Sequence, residues 1–207
     1  MKRFTPPDVR ASYKGRVIAV GGPPHSGKSV FLNALHNALL QQMGDRVFLE
    51  RACPDGEGKW SAEADPQLVQ QLRQKSNFSP EFMQMKLFGI ENLGRNKSLV
   101  LLDLGGRRSP ENAAILAKAT DLIILSSQPS EFAPWEAFAT AQGCPVLLKL
   151  QSVLQRNAAG SLDTTARSSL DFSTDPATGC MVNLDRATDP DCYIHAIQQL
   201  SLWMASF

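Results

Sequence analysis

One stretch constrains this chain more than any other. Gly22-Pro23-Pro24-His25-Ser26-Gly27-Lys28-Ser29 fits the pattern G-x-x-x-x-G-K-[ST] at every fixed position. It follows the apolar run Arg16-Val17-Ile18-Ala19-Val20, which reads as a short buried strand. It opens a segment in which Phe31, Leu35, Ala38, Leu39 and Met43 recur near helical spacing, with Gly44 as the stop. Strand, glycine loop, helix is the context in which the pattern has chemical meaning. Gly22 and Gly27 let the backbone turn tightly and approach an anion with no Cβ in the way. Successive N–H groups then face inward as a nest at the positive end of the helix that begins near Lys28. Lys28 brings a mobile cation to β- and γ-phosphates, and Ser29 offers a hydroxyl to Mg²⁺. The expected nucleotide contacts are therefore Gly22, Pro23, Pro24, His25, Ser26, Gly27, Lys28 and Ser29. His25 falls in the variable part of the loop and is expected to pack or face solvent rather than act in catalysis.

A phosphate loop calls for an acid from a neighbouring strand. Leu99-Val100-Leu101-Leu102-Asp103 is an apolar strand delivering a carboxylate, so Asp103 is the expected second Mg²⁺ residue, directly or through water. The chain continues Leu104-Gly105-Gly106, which places Gly106 where its N–H would reach a γ-phosphate and tell ATP from ADP. Arg107 and Arg108 follow, either as a charge clamp on the phosphoryl group or as a solvated basic pair before the Ser109 helix cap.

The remaining pattern alternates strands and helices. Strands are expected at 46–50, 98–103, 121–125, 145–150 and 179–184. Helical character runs over 62–94, from Ser109-Pro110-Glu111, over 134–142, and after Asp189-Pro190, where Ile194, Ile197, Leu200 and Met204 form one face. Residues 1–15 read as a polar arm, and 155–178 as a polar surface loop. The expectation is one α/β domain over 16–207, a P-loop NTPase with a mostly parallel sheet, helices on both faces and a helical insertion at about 61–95.

Composition narrows the function classes. With 43% hydrophobic and 20% charged residues the chain is globular, neither disordered nor collagen-like. Its 21 basic and 20 acidic side chains leave a net charge of +1, so global electrostatics make no case for nucleic acid or a membrane surface. No window approaches the roughly 20 apolar residues of a transmembrane helix, and the start, Met1-Lys2-Arg3-Phe4-Thr5, lacks a signal peptide's apolar core. Cys53, Cys144, Cys180 and Cys192 have no paired spacing, which suits a reducing cytoplasm.

Beyond the second strand lies Asp55-Gly56-Glu57-Gly58, on the edge of a parallel sheet that faces ligands. Asp55 and Glu57 are candidate bases for an attacking water or an acceptor hydroxyl; the alternative is an acidic surface turn. Asn96-Lys97 is followed by Ser98-Leu99, so the Asn-Lys-x-Asp guanine reader is missing and ATP is the expected nucleotide. Three functions fit: an NTPase driving a conformational or assembly change, a kinase with an unknown hydroxyl acceptor, and a nucleotide-sensing module with little turnover.

These residues also carry a resemblance. The phosphate loop, Cys53-Pro54-Asp55-Gly56-Glu57-Gly58 with Trp60, Asp103-Leu104-Gly105-Gly106 with Ser109-Pro110-Glu111-Asn112, and Leu184-Asp185-Arg186 resemble the P-loop ATPase-like domain fused to, or found beside, a CRISPR-associated ring nuclease of type III systems. The resemblance spans about residues 15–205. It implies a nucleotide-dependent role in antiviral signalling, with a ring nuclease or a second copy of the chain as partner. At 207 residues the P-loop domain leaves little room for a nuclease domain.

The acidic loop yields one test. Glu57→Gln is expected to lower nucleotide turnover about a hundredfold with binding retained. Unchanged steady-state kinetics would return that loop to a surface turn.

Overall fold

A computed structural model of the chain describes residues 8–52, 80–186 and 190–207. The first strand, β1 (Arg16–Gly21), leads through the glycine loop into α1 (Lys28–Met43). Gly44 ends α1 at φ +61°, a conformation that favours glycine. Then follow β2 (Val47–Arg51), α2 (Pro80–Asn96), β3 (Leu99–Asp103), α3 (Pro110–Leu116), β4 (Asp121–Ser126) and α4 (Phe132–Thr140). The chain closes with β5 (Val146–Val153), β6 (Ser169–Asp171), β7 (Ala177–Val182) and α5 (Ile194–Ala205).

The strands form one sheet in the order β2-β3-β1-β4-β5-β7-β6. Every pair is parallel except β6–β7. Along β1, alternate side chains go to opposite faces, as the pleat requires. Ile18 and Val20 pack with Phe31, Leu35 and Leu39 of α1 and with Ile197 and Leu200 of α5. Val17 and Ala19 pack with Ile90 of α2, Ile115 of α3 and Trp135 of α4. Both faces are covered, which is why the central strands are apolar throughout rather than alternating.

The expected elements appear with shifted ends. The strand expected at 145–150 runs on to Val153, because Gln151, Ser152 and Val153 pair with Cys180, Met181 and Val182 of β7. The last strand sits two residues earlier than the pattern suggests. Ala177 and Thr178 pair with Leu148 and Lys149, and Asn183 leaves the strand in a left-handed conformation, φ +53°. The segment expected as a polar loop contains β6, three residues that hydrogen-bond antiparallel to β7 and are too short to show periodicity. Within the polar arm, residues 9–12 form a 3₁₀ turn. Arg10 donates to Gly143 O at 2.6 Å and the Tyr13 hydroxyl to Lys118 O at 3.1 Å, which docks the arm beside the α3–β4 connection. Residues 62–79 of the expected helical insertion, and Asp189, lie outside the described residues.

Two glycines of α2 offer a test of this packing. A Cβ on Gly94 would come within 2.8 Å of the Tyr13 ring, whereas one on Gly89 would meet nothing within 4 Å. Alanine gains about 1 kcal/mol of helix propensity over glycine, and overpacking costs about 1–3 kcal/mol. Gly89→Ala is therefore expected to raise the unfolding free energy by about 1 kcal/mol and Gly94→Ala to lower it by a similar amount, measured by urea denaturation. Equal effects of the two substitutions would mean that Tyr13 does not pack on α2.

Candidate functional site

The β1–α1 loop lies at the carboxyl edge of the parallel strands. Its shape depends on missing side chains. Gly22 has φ +143°, and a Cβ there would lie 1.9 Å from Leu125 O at the end of β4. Gly27 has φ +83°, and a Cβ there would lie 2.8 Å from the Leu184 Cβ. Just before the loop, a Cβ on Gly21 would meet the Trp135 ring at 2.8 Å, so β1 ends against α4 with no room to spare.

The interior of the loop is polar and ordered. Ser26 is buried, and its hydroxyl donates to Pro23 O at 2.6 Å. The Lys28 ammonium donates to Pro23 O at 2.8 Å and to Gly22 O at 3.0 Å. Lys28 therefore reaches back over its own loop. α1 starts without a side-chain cap and without an acidic residue in its first turn. Its own cap and first turn therefore supply no side-chain anion to its N-terminal N–H groups and dipole, and they begin with the Lys28 cation. This arrangement is suited to an anion. Pro24 and His25 are exposed, His25 at φ +61°, as expected for the variable part of the loop.

Asp103 arrives by register. It ends β3 opposite Val20 of β1 and Arg51 of β2, two residues ahead of Gly22 in the first of those strands. Leu104 N–H then donates to Val20 O at 3.2 Å, which prolongs the contact between the two chain segments. Gly106 lies against the phosphate loop: a Cβ there would be 2.7 Å from the Pro24 nitrogen. The structure thus brings together residues 22–29, Asp103 and Gly106, with Ser29 in the first turn of α1.

Arg108 pairs with Glu131 at 2.5 Å and sits 5.8 Å over the Trp135 ring, which commits its guanidinium to α4. Arg107 is exposed. Gln151 and Ser152 lie within β5. Asp55 and Glu57 lie outside the described residues. Among the described residues no group of three or more His, Cys, Asp or Glu side chains is placed to hold a metal.

Sequence reasoning gave no site role to four contributors. Leu125 supplies the carbonyl against Gly22, and Leu184 the side chain against Gly27. Asn183 holds Leu184 there: its side chain accepts from Gln155 N–H at 2.8 Å and donates to Asp163 O at 2.9 Å. Asn112 braces the chain around Gly106, with its amide donating to Gly105 O at 3.1 Å and Arg107 O at 2.7 Å. Asn112 stands in the segment that carries the resemblance, and its further signal is a short polar residue at the third position after the Ser109 cap, where a capping box carries Glu or Gln.

No family model matches the chain, and no curated protein matches it. Solved structures do. One is cobyrinic acid a,c-diamide synthase from Mycobacterium smegmatis with a bound ATP analogue and magnesium, at TM-score 0.52 and 15% identity, covering 70% of this chain and 74% of that one. Another is a nucleotide-binding protein from Archaeoglobus fulgidus in complex with ADP, at TM-score 0.50 and 17% identity, covering 99% of this chain and 95% of that one. At such identities the likeness speaks to architecture, and the architecture is the α/β P-loop NTPase fold expected from the sequence.

The two loop glycines differ in what they face. Backbone cannot yield as a side chain can, so Gly22→Ala is expected to destabilise by about 3 kcal/mol or more and Gly27→Ala by about 1–3 kcal/mol. Thermal unfolding of the two variants checks the order, and a reversal would contradict the closer approach at Gly22.

Proposed function

We propose that this chain binds ATP with Mg²⁺ at residues 22–29 and hydrolyses the terminal phosphate, within a single P-loop domain over residues 16–207. The observation that carries the reading is the Lys28 ammonium lying over a glycine loop at an uncapped helix start. The solved neighbours add support, one holding an ATP analogue with magnesium and one holding ADP.

The cradle fits a phosphate chain because its walls are peptide groups where side chains would intrude, at Gly22 and Gly27. Lys28 would exchange its two carbonyl partners for phosphate oxygens, adding the attraction between opposite charges to hydrogen bonds whose donor is already ionised. Ser29 and Asp103 would hold Mg²⁺. That donor set is small, as suits an ion that keeps several waters and shares phosphate oxygens. When bound, Mg²⁺ would neutralise charge on the phosphates. Gly106 N–H would face the terminal phosphate. Asp55 or Glu57 would accept the proton of the attacking water, which adds to phosphorus as ADP leaves. The wider setting, action beside a CRISPR-associated ring nuclease in antiviral signalling, rests on the sequence resemblance alone.

Calorimetric binding of ATP and ADP, with Mg²⁺-dependent phosphate release measured alongside, tests the proposal. Lys28→Ala is expected to weaken ATP binding about tenfold to a hundredfold, the worth of a charged hydrogen bond. Asp103→Asn is expected to keep binding within about threefold and to lower turnover about a hundredfold. Unchanged ATP affinity in Lys28→Ala would sink the phosphate-loop reading. Tight binding with no phosphate release would favour the sensing module. Release seen only with an added hydroxyl acceptor would favour the kinase.

A further inference from the structure

The chain after β3 contains a feature that the phosphate-loop chemistry does not require. Asn112 is 2% exposed. Its amide group donates to the carbonyls of Gly105 and Arg107, the residues on either side of Gly106. Ser109 fixes Asn112 in turn: its hydroxyl oxygen accepts the Asn112 N–H at 3.3 Å and caps α3. Ser109 also hydrogen-bonds the Glu111 carboxylate, the main reason that this group is held below its ordinary pKa. The brace is therefore anchored at a capped helix start.

The peptide bond makes this brace directional. Gly105 C=O and Gly106 N–H belong to one peptide unit, and the cis peptide of the described residues is elsewhere, at Asp175-Pro176. In a planar trans peptide the N–H points opposite to the C=O. By holding Gly105 O, Asn112 turns Gly106 N–H away from α3. Gly106 itself sits against Pro24 of the phosphate loop. Glycine would otherwise leave this peptide free to rotate.

A second observation points to the same place. Among the described residues, two buried side-chain polar atoms lack a hydrogen-bond partner, the acceptor Asn112 Oδ1 and the donor Trp135 Nε1. Both belong to residues flanking this loop: Asn112 holds its carbonyls, and Trp135 lies beneath Arg108 and against Gly21. Buried polar groups are nearly always paired, and Asn112 Oδ1, on the residue that braces this loop, is an exception.

We propose that Asn112 is a positioning residue for terminal-phosphate recognition: it aims the Gly106 N–H, and so sets how strongly the site prefers ATP to ADP. The inference rests on the nucleotide reading of residues 22–29. It predicts an effect on discrimination that a merely structural asparagine would not have.

The experiment measures the affinities of Mg·ADP and a non-hydrolysable Mg·ATP analogue for the wild-type chain, Asn112→Ala and Asn112→Asp, with hydrogen exchange followed over residues 104–108. The Asp variant keeps the shape and loses the amide donors. In both variants ADP affinity is expected to stay within about twofold, while affinity for the ATP analogue falls about five- to tenfold, the worth of one or two lost hydrogen bonds. In the wild type the ATP analogue, and not ADP, is expected to slow exchange over 104–108, and the variants lose that protection. Equal losses for both nucleotides, or no loss, would overturn the proposal. If Asn112→Ala does not fold, Asn112→Asp and the wild-type exchange pattern decide. A wild-type chain that binds both nucleotides equally with unaltered exchange at 104–108 refutes the role of Asn112 and leaves the phosphate loop standing. A wild-type chain that binds neither removes the nucleotide site, and this inference with it.

Discussion

The site depends on two close backbone approaches. At Gly22 the turn out of β1 passes so near Leu125 O that no side chain fits, and at Gly27 the entry to α1 closes against Leu184. These contacts hold the loop between β4 and the segment after β7. They leave the Lys28 ammonium to fold back over the loop carbonyls, and the first turn of α1 without a side-chain cap. A loop held this way is pre-organised for the proposed nucleotide: binding would replace hydrogen bonds rather than order a chain, which lowers the entropic cost of association.

The sheet supplies the second half of the site. β3 lies between β2 and β1, so the acid ending β3 stands in register with Val20, just before the glycine loop. Apolar layers on both faces hold that register. Moving β3 by one residue would send Val100 and Leu102 to the α1 face and Leu101 to the other, against the packing of both layers. The position of the Asp103 carboxylate is thus set by the burial of four leucine and valine side chains preceding it.

Polar contacts then distribute roles among neighbours that sequence spacing treats alike. Arg107 and Arg108 are adjacent, yet Arg108 is drawn to Glu131 and the Trp135 face, while the Arg107 carbonyl is held by Asn112. The two side chains therefore have different surroundings: the Arg108 guanidinium is held at the start of α4, and Arg107 is exposed. Leu184 and Asn183 divide similarly: one packs on Gly27, and the other ties together the ends of the connections around it.

What the sequence determined by itself was local in origin. The glycine-lysine loop, the apolar strand ending in Asp103, the Ser109-Pro110 helix start and the Gly44 stop each rest on conformational preferences of a few consecutive residues, and each lies where those preferences put it. The alternation of strands and helices likewise carried the α/β class. Tertiary structure decided the features that need a partner distant in the chain. β5 runs on to Val153 and β6 exists because β7 offers hydrogen bonds, not because of any pattern in their own residues. Leu125 and Leu184 enter the site through contacts with segments far away, Leu125 by a carbonyl, which every residue has and no sequence motif records. Hydrophobic period and turn chemistry are written in neighbouring residues. Strand pairing and backbone approach depend on which segments meet, and that follows only from burying both faces of the sheet at once.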